Sequence, residues 1–344
     1  MAITRTPWWW YGGEGSLVPA LLEPAALLWR GATWLRWKVS TPHGAELPVL
    51  CVGNPTAGGA GKTPLVIELA RLLAQRGERP VFLTRGYGGT ARGPVLADRN
   101  VHTARDIGDE ALLLARHAPT VIARDRRAGA RQCSTLDASV ILMDDGFQNP
   151  TLHKDFSLLV VDCRLGAGNG LVIPAGPLRA PLARQLAAAD ALILVGQGTA
   201  GEAIAARMQG LGKPVLTGRV GPVGETGWLA ARPVHAYAGI AHPEKFFETL
   251  RQAGARLAGT TSFPDHHVFT QNDAAQLLAA AQRDGAQLVT TEKDFVRLEG
   301  AGSALGELRR ATRALPVRLT VNEEEVLLSL LEGALKKRRA ERRG

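Results

Sequence analysis

The chain has 344 residues, 45% hydrophobic and 21% charged, which excludes a disordered protein and allows two domains of ordinary size. Its three cysteines, Cys51, Cys133 and Cys163, form no C-x-x-C pair, which argues against a disulfide framework or a structural zinc site. The net charge of +9 favours an anionic partner, either nucleic acid, anionic lipid or a phosphorylated substrate. We expect no nucleic acid, because aromatic and basic residues are not interleaved in the body of the chain. No oligomeric state is predicted.

The first forty residues are predicted to lie at a membrane surface. Six of the seven tryptophans stand at positions 8, 9, 10, 29, 34 and 37, and the start MAITRTPWWW has no secretory signal pattern. Prolines and charges make residues 17–38 too broken to span a bilayer. On a helix, one apolar face is formed by Leu21, Ala25, Leu28, Ala32 and Leu35. Tryptophan beside arginine is typical of a membrane interface, whereas the alternative is a helix packed on the protein's own core.

Residues 47–77 combine a strand, a glycine-rich turn and a helix, the context that a phosphate-binding loop needs. The turn, PTAGGAGKT, departs from the usual pattern because Thr56 stands where a glycine is expected. We expect ATP to bind through Thr56, Ala57, Gly58, Gly59, Ala60, Gly61, Lys62 and Thr63. Lys62 would contact the β- and γ-phosphates, and the hydroxyl of Thr63 would join the Mg²⁺ shell. The alternative, a plain strand-to-helix turn, rarely needs three glycines together with Gly-Lys-Thr.

Further strands end in charged residues. The run VILMDD ends in Asp144 and Asp145, either of which could anchor Mg²⁺; the alternative is a pair of helix-capping acids. Arg85, Arg124 and Arg126 follow two other strands and are candidates for binding phosphate oxygens. Because strands alternate with helices, we expect an α/β fold with a doubly wound, P-loop NTPase-like parallel sheet whose ligands bind at the strands' carboxyl ends.

Eight segments in their order and spacing resemble the tetraacyldisaccharide 4′-kinase family, the lipid A 4′-kinases of Gram-negative bacteria. These segments are GNPTAGGAGKTP, TRGYGG, GDEALLLA, DDGFQ, GNGLVIPAGPLR, AGIAHPEKF, FPDHHVFT and TTEKDFVRL. DDGFQ and PAGPLR are far more specific than the phosphate loop alone. The resemblance implies a kinase that uses ATP and Mg²⁺ to phosphorylate the 4′-hydroxyl of a lipid A disaccharide 1-phosphate. It also implies a peripheral position on anionic lipid at the cytoplasmic face of the inner membrane.

The resemblance also implies roles for single residues. Asp109 of GDEALL is the implied base, oriented by a histidine of PDHH, and Lys62 completes the expected catalytic set. His266 and His267 are adjacent, and the sequence leaves open which of them faces the site. The capping of a helix is the alternative role for Asp109. The expected substrate-binding residues are Arg85, Asn169, Arg124 and Arg179.

The chain departs from the family pattern in three places. Asn149 follows DDGFQ where the family usually has histidine. Ala180 follows PAGPLR where the family usually has glutamate, which takes away a metal-binding or orienting carboxylate. Val296 and Arg297 follow TTEKD, in a predicted strand, where a lysine is commoner.

Five consecutive parts are expected along the chain. They are a membrane-interface segment (1–40), a P-loop kinase domain (41–213), a linker (214–230), a smaller α/β domain that closes the cleft (231–320), and a C-terminal helix with a basic tail (321–344). Closure of the cleft would exclude water from the reaction. A P-loop GTPase or metallochaperone would share the phosphate loop, but the guanine-reading N-K-x-D motif does not occur at a suitable place. A membrane-docked binding protein that uses ATP only structurally is the third class.

Overall fold

A computed structural model describes residues 6–12, 15–59, 61–298 and 302–342. Its strands are β1 (Val49–Gly53), β2 (Pro80–Thr84), β3 (Val95–Leu96), β4 (Thr120–Ile122), β5 (Val140–Asp144), β6 (Phe156–Asp162), β7 (Ala191–Val195), β8 (Val215–Pro222), β9 (Val234–Ala238), β10 (Leu257–Ser262), β11 (Gln287–Thr291), β12 (Thr312–Leu315) and β13 (Val317–Val321). Its α-helices are α1 (Val18–Val39), α2 (Lys62–Gln75), α3 (Ala104–Ile107), α4 (Asp109–Leu114), α5 (Arg126–Ser134), α6 (Leu182–Ala188), α7 (Glu202–Gly210), α8 (Pro243–Gln252), α9 (Gln271–Arg283), α10 (Glu292–Val296), α11 (Ser303–Ala311) and α12 (Glu324–Glu341).

The larger sheet carries the phosphate loop. Its strands lie in the order β13-β8-β7-β6-β1-β5-β2-β4-β3, with β1 between β5 and β6 and parallel to both. Antiparallel pairs join β13 to β8 and β3 to β4 at the two edges. One face packs against α2 and α12, and the other packs against α5, α6 and α7. The predicted doubly wound α/β fold is confirmed, and the carboxyl ends of β1, β5 and β6 meet at one edge.

A smaller, parallel sheet has the strand order β10-β9-β11-β12 and packs against α8, α9 and α11. The predicted second α/β unit is therefore present. It meets the larger unit through α10, whose Val296 is buried with Ile107 and Leu112 next to α4. This contact brings the end of β11 beside the start of α4.

Three local predictions are wrong. Within the expected linker, residues 215–222 form β8, because their backbone groups pair with β7 and β13. Within the expected smaller domain, residues 317–321 form β13, an edge strand of the larger sheet. No strand directly follows TTEKD: Glu292–Val296 form helix α10, because the Thr291 side chain accepts a hydrogen bond from the Asp294 N–H and begins a helix there.

Helix α1 lies on the larger unit with its predicted apolar face outward. Ala26 is fully buried, and the Trp29 indole donates a hydrogen bond to the Arg179 carbonyl at 3.2 Å. Leu21 and Leu28 are 78% and 77% exposed. Trp10, in contrast to Trp8, is buried. None of the helices in the described ranges has the length and apolar character that crossing a membrane requires.

Candidate active site

The phosphate loop connects β1 to α2 in the predicted way. Gly58 and Gly61 have φ of +114° and +83°, in the left-handed region that favours glycine. Helix α2 begins at Lys62, so the free N–H groups of its first turn point into the loop. Pro64 lies in that first turn, where its missing N–H removes no helical hydrogen bond. Ala60 lies outside the described residues.

Lys62 is buried and held by two polar groups. Its Nζ donates to the Asn54 Oδ1 atom at 2.9 Å and lies 3.8 Å from the Asp145 Oδ1 atom. Asn54 in turn donates from Nδ2 to the Gly58 carbonyl at 3.0 Å, which braces the loop around the lysine. Sequence reasoning missed Asn54, although it precedes the loop within the GNPTAGG segment.

Asp144 is a buried carboxylate at the end of β5. It is 1% exposed, and within the described chain neither of its side-chain oxygens has a hydrogen-bond partner. The pKa of Asp144 is raised to about 7, chiefly by burial and also by the nearby charges of Glu110 and Asp145. Buried oxygens without hydrogen bonds are groups that a divalent cation or its water ligands would satisfy.

Asp145 follows with a φ of +48°, which is unusual for a residue with a side chain. Its Oδ2 accepts a hydrogen bond from the Arg179 Nη1 at 3.0 Å, and its Oδ1 has no hydrogen-bond partner in the described residues. Burial alone would raise the pKa of Asp145, but the charges of Arg179 and Lys62 outweigh it and hold the pKa below its usual range. Asp145 is thus ionised beside the phosphate loop.

The segment that contains PAGPLR lies directly on the phosphate loop. The Ala57 N–H donates to the Pro177 carbonyl at 2.8 Å, and the Arg179 N–H donates to the Pro55 carbonyl at 2.9 Å. The Arg179 Nε also donates to the Thr56 carbonyl at 3.0 Å. Thr56 is buried and bridges to Leu178 in a strand-like pairing, so this position does not need a glycine. The structure therefore places Arg179, an expected substrate-binding residue, as a brace between the loop and Asp145.

The other expected anion-binding residues differ in whether their side chains are exposed or already hydrogen-bonded within the chain. The side-chain amide of Asn169 is used within the chain, since it donates to the Trp9 and Ala175 carbonyls. Arg126 is buried and donates to the Ala123 and Asp144 carbonyls, so the prediction that it binds phosphate is wrong. Arg85 and Arg124 are exposed.

Gln185 is a buried residue of the site that sequence reasoning missed. Its Nε2 donates to the Pro55 carbonyl at 3.1 Å and to the Ala180 carbonyl at 2.7 Å. Its Oε1 accepts from the Gln148 Nε2 at 3.1 Å, so it ties the DDGFQ segment to the phosphate loop. The only signal in the sequence is that Gln185, with its neighbour Arg184, is a polar residue on an otherwise apolar helix, LARQLAA.

The buried carboxylate of Asp109 forms a pair with the partly exposed imidazole of His266. Asp109 is 4% exposed, and its Oδ2 lies 3.0 Å from the His266 Nδ1 atom. Burial opposes the charge of Asp109, but Lys293, His266 and Arg297 together hold the pKa of Asp109 well below its usual range. The predicted partnership of Asp109 with one PDHH histidine is therefore present in the structure.

His267 does not reach Asp109. Its Nε2 lies 2.9 Å from the Asp273 Oδ2 atom at the start of α9, and its ring stacks on Phe263 at 4.6 Å. The reason is the backbone at His266, whose φ of +58° turns successive side chains in different directions. Of the two histidines, only His266 therefore contacts Asp109.

The two clusters lie within electrostatic reach of each other. Glu110, next to Asp109, forms an ion pair with Lys293 at 3.0 Å, and its charge also raises the pKa of Asp144. A phosphate loop with a buried lysine and an acid pair thus lies near a carboxylate–imidazole pair. This fold and site define the chain as a P-loop phosphotransferase.

Comparison with known proteins gives the family. The model of the tetraacyldisaccharide-1-P 4′-kinase family matches residues 18–336. A tetraacyldisaccharide 4′-kinase of Methylobacterium nodulans is 49% identical over 94% of each chain. A tetraacyldisaccharide 4′-kinase of Parvibaculum lavamentivorans is 47% identical over 97% of this chain and 99% of its own. The crystal structure of LpxK from Aquifex aeolicus in complex with ATP superposes with a TM-score of 0.72 at 26% identity, covering 92% of this chain and 99% of that one.

The chain therefore belongs to the tetraacyldisaccharide-1-P 4′-kinase family, as its motifs predicted, and is a transferase. Membership of this family decides against the GTPase or metallochaperone alternative and against a protein that only binds ATP.

Proposed function

We propose that this chain transfers the γ-phosphoryl group of ATP to the 4′-hydroxyl of a tetraacyldisaccharide 1-phosphate, with Asp109 and His266 accepting the proton of the hydroxyl. The contact between these two side chains, with the Asp109 carboxylate buried, is the observation that carries the proposal. The names of the relatives and the ATP in the Aquifex aeolicus structure support the acceptor and the donor.

On the nucleotide side, Lys62 and the N–H groups at the start of α2 would bind the phosphates. The hydroxyl of Thr63 and the carboxylates of Asp144 and Asp145 would hold Mg²⁺, which would neutralise charge on the transferring group. Both side-chain oxygens of Asp144 and the Oδ1 of Asp145 have no hydrogen-bond partner in the described residues, which fits this role. Arg179 would keep Asp145 and the loop in place through its hydrogen bonds to both.

On the acceptor side, the proton of the hydroxyl would pass to Oδ1 of Asp109. Oδ1 accepts one described hydrogen bond, from the Glu110 N–H at 2.8 Å, whereas Oδ2 is engaged by His266 and Arg297. His266 would hold the carboxylate in position and share the charge of the proton.

We further propose a peripheral position at the cytoplasmic face of the inner membrane, with anionic lipid under α1. The exposed leucines and tryptophans of this helix and its basic residues support contact at headgroup depth. Arg85 and Arg124, both exposed, are proposed to bind the phosphate of the acceptor. The smaller sheet would form a separate lobe that closes over both substrates and excludes water.

The test is acceptor-dependent release of ADP, with a matched pair of histidine variants. We expect H266A to lower kcat by about 100-fold or more, the range for loss of general-base assistance. H267A serves as the control and should keep kcat within a few-fold, since His267 contacts Asp273 and Phe263 instead. Equal losses in the two variants, or ADP release that does not depend on the acceptor, would refute the proposal.

A further inference from the structure

Arg297 stands immediately after α10 and reaches the Asp109 carboxylate from the smaller lobe. Its side chain is 6% exposed. Its Nε donates to the Asp109 Oδ2 at 2.7 Å, and its Nη2 donates to the same oxygen. Its Nη1 donates to the Asp294 Oδ1 at 2.6 Å and to the Gly239 carbonyl at 2.7 Å. All three guanidinium nitrogens are therefore engaged.

The carbonyl of Gly239 connects Arg297 to the histidine as well. It also accepts a hydrogen bond from the His266 N–H at 3.1 Å, at the residue whose backbone is in the left-handed region. Asp294 fixes the same residue through its other backbone group, because its carboxylate accepts from the Gly239 N–H at 3.1 Å. Arg297 thus contacts Asp109 directly and holds the loop of His266 through a shared acceptor.

Only a planar, branched cation makes this set of contacts. Guanidinium offers five donors in a rigid fork, while the ammonium of lysine is a point charge on a flexible stem. The space is also limited, since a Cβ atom added at Gly239 would lie 3.2 Å from the Arg297 Nη1 atom.

We propose that Arg297 is a positioning residue of the transfer reaction, which holds Asp109 and His266 in their mutual geometry and sets the lower pH limit of activity. This inference rests on the proposed function, because it assumes that the pair accepts the proton of the acceptor hydroxyl. Arg297 itself acts through the pair and contacts neither substrate in the proposal.

The charges around the pair determine the direction of the pH effect. Lys293 adds a second cation, Glu110 pairs with Lys293, and Asp265 faces His266. All of these remain when Arg297 is replaced by a neutral residue. Loss of one adjacent cation makes protonation of Asp109 easier, so the acid limb of the kcat profile should move to higher pH. An opposite charge at this distance usually changes a carboxyl pKa by about 1–3 units.

The experiment measures kcat against pH at saturating ATP and tetraacyldisaccharide 1-phosphate for the wild type, R297M, R297Q and R297K. We expect the acid limb of R297M and R297Q to move up by about 1–3 pH units. R297K should keep the limb near that of the wild type because the charge remains, and should lose kcat about tenfold because donors are lost. R313M is the control, since Arg313 lies on Trp228 in the smaller lobe, and its profile should match the wild type.

An unshifted acid limb in R297M or R297Q, with a uniform loss at every pH, would show a merely structural role and overturn the proposal. Near-ultraviolet circular dichroism shows whether R297M and R297Q fold. If neither folds, R297K decides the question: a kcat equal to that of the wild type at every pH would overturn the proposal. Failure of the proposed function gives a different result, because the wild type would then release no ADP in response to the acceptor.

Discussion

Replacement of Asp144 by asparagine should stabilise the metal-free protein while it removes activity. Burial raises the pKa of Asp144 from 3.8 to about 7, so above pH 4 the unfolded chain releases a proton that the native chain keeps. The native state is therefore destabilised progressively between pH 4 and pH 7, and the full cost is present above pH 7. A shift of about three units, at 1.36 kcal/mol each, makes this cost on the order of 4 kcal/mol. Asparagine stays neutral and avoids it.

The assay is urea unfolding of the wild type and D144N in EDTA at pH 5 and pH 8. The gain in unfolding free energy of D144N over the wild type should be larger at pH 8 than at pH 5, by about 3 kcal/mol. The reason is that the native chain keeps the Asp144 proton, and the unfolded chain does not, over about two pH units between pH 5 and pH 7. Any effect of the amide on packing is the same at both pH values and cancels. In matched experiments without EDTA, ATP with Mg²⁺ should stabilise the wild type more than D144N. Equal gains at pH 5 and pH 8 would refute the reasoning.

Three further predictions concern the membrane face, the thiols and the phosphate loop. The double variant L21E/L28E should weaken binding to vesicles with anionic lipid by about tenfold or more, since both leucines are exposed, and its urea midpoint should stay at the wild-type value; undiminished binding would contradict the proposed interface. Cys133, whose pKa burial raises to about 12, should resist iodoacetamide at pH 8 in the folded chain and react in urea, and rapid labelling of the native protein would count against its burial. G53A should lower the free energy of unfolding in urea by about 1–3 kcal/mol, because a Cβ atom there would collide with Phe147 of DDGFQ. An unchanged urea midpoint would show that β1 and this segment are less tightly packed.

Much of the larger unit was predictable because its signals are local. The strand before the phosphate loop, the glycines with positive φ and the helix that begins at Lys62 follow from adjacent residues. The edge strands β8 and β13 were not predictable in this way. They pair with each other across about a hundred residues, and no local pattern specifies that pairing.

Within the site, too, some features could be predicted from neighbouring residues and others could not. The sequence indicated Lys62, the acids Asp144 and Asp145, and a link between Asp109 and a histidine. It gave no reason to choose between His266 and His267, since that choice depends on one left-handed backbone residue.

By itself, then, the sequence determined the phosphate loop, the alternation of strands and helices in most of the larger unit and, through eight family segments, the class of reaction. Only the tertiary structure placed Arg297 on Asp109 and Arg179 on the phosphate loop. It also placed Gln185 between the phosphate loop and the DDGFQ segment, with hydrogen bonds to both. The physical reason is that hydrogen bonds and ion pairs between distant residues require a particular geometry, which arises only when the two sheets and the loops at their carboxyl ends have packed together.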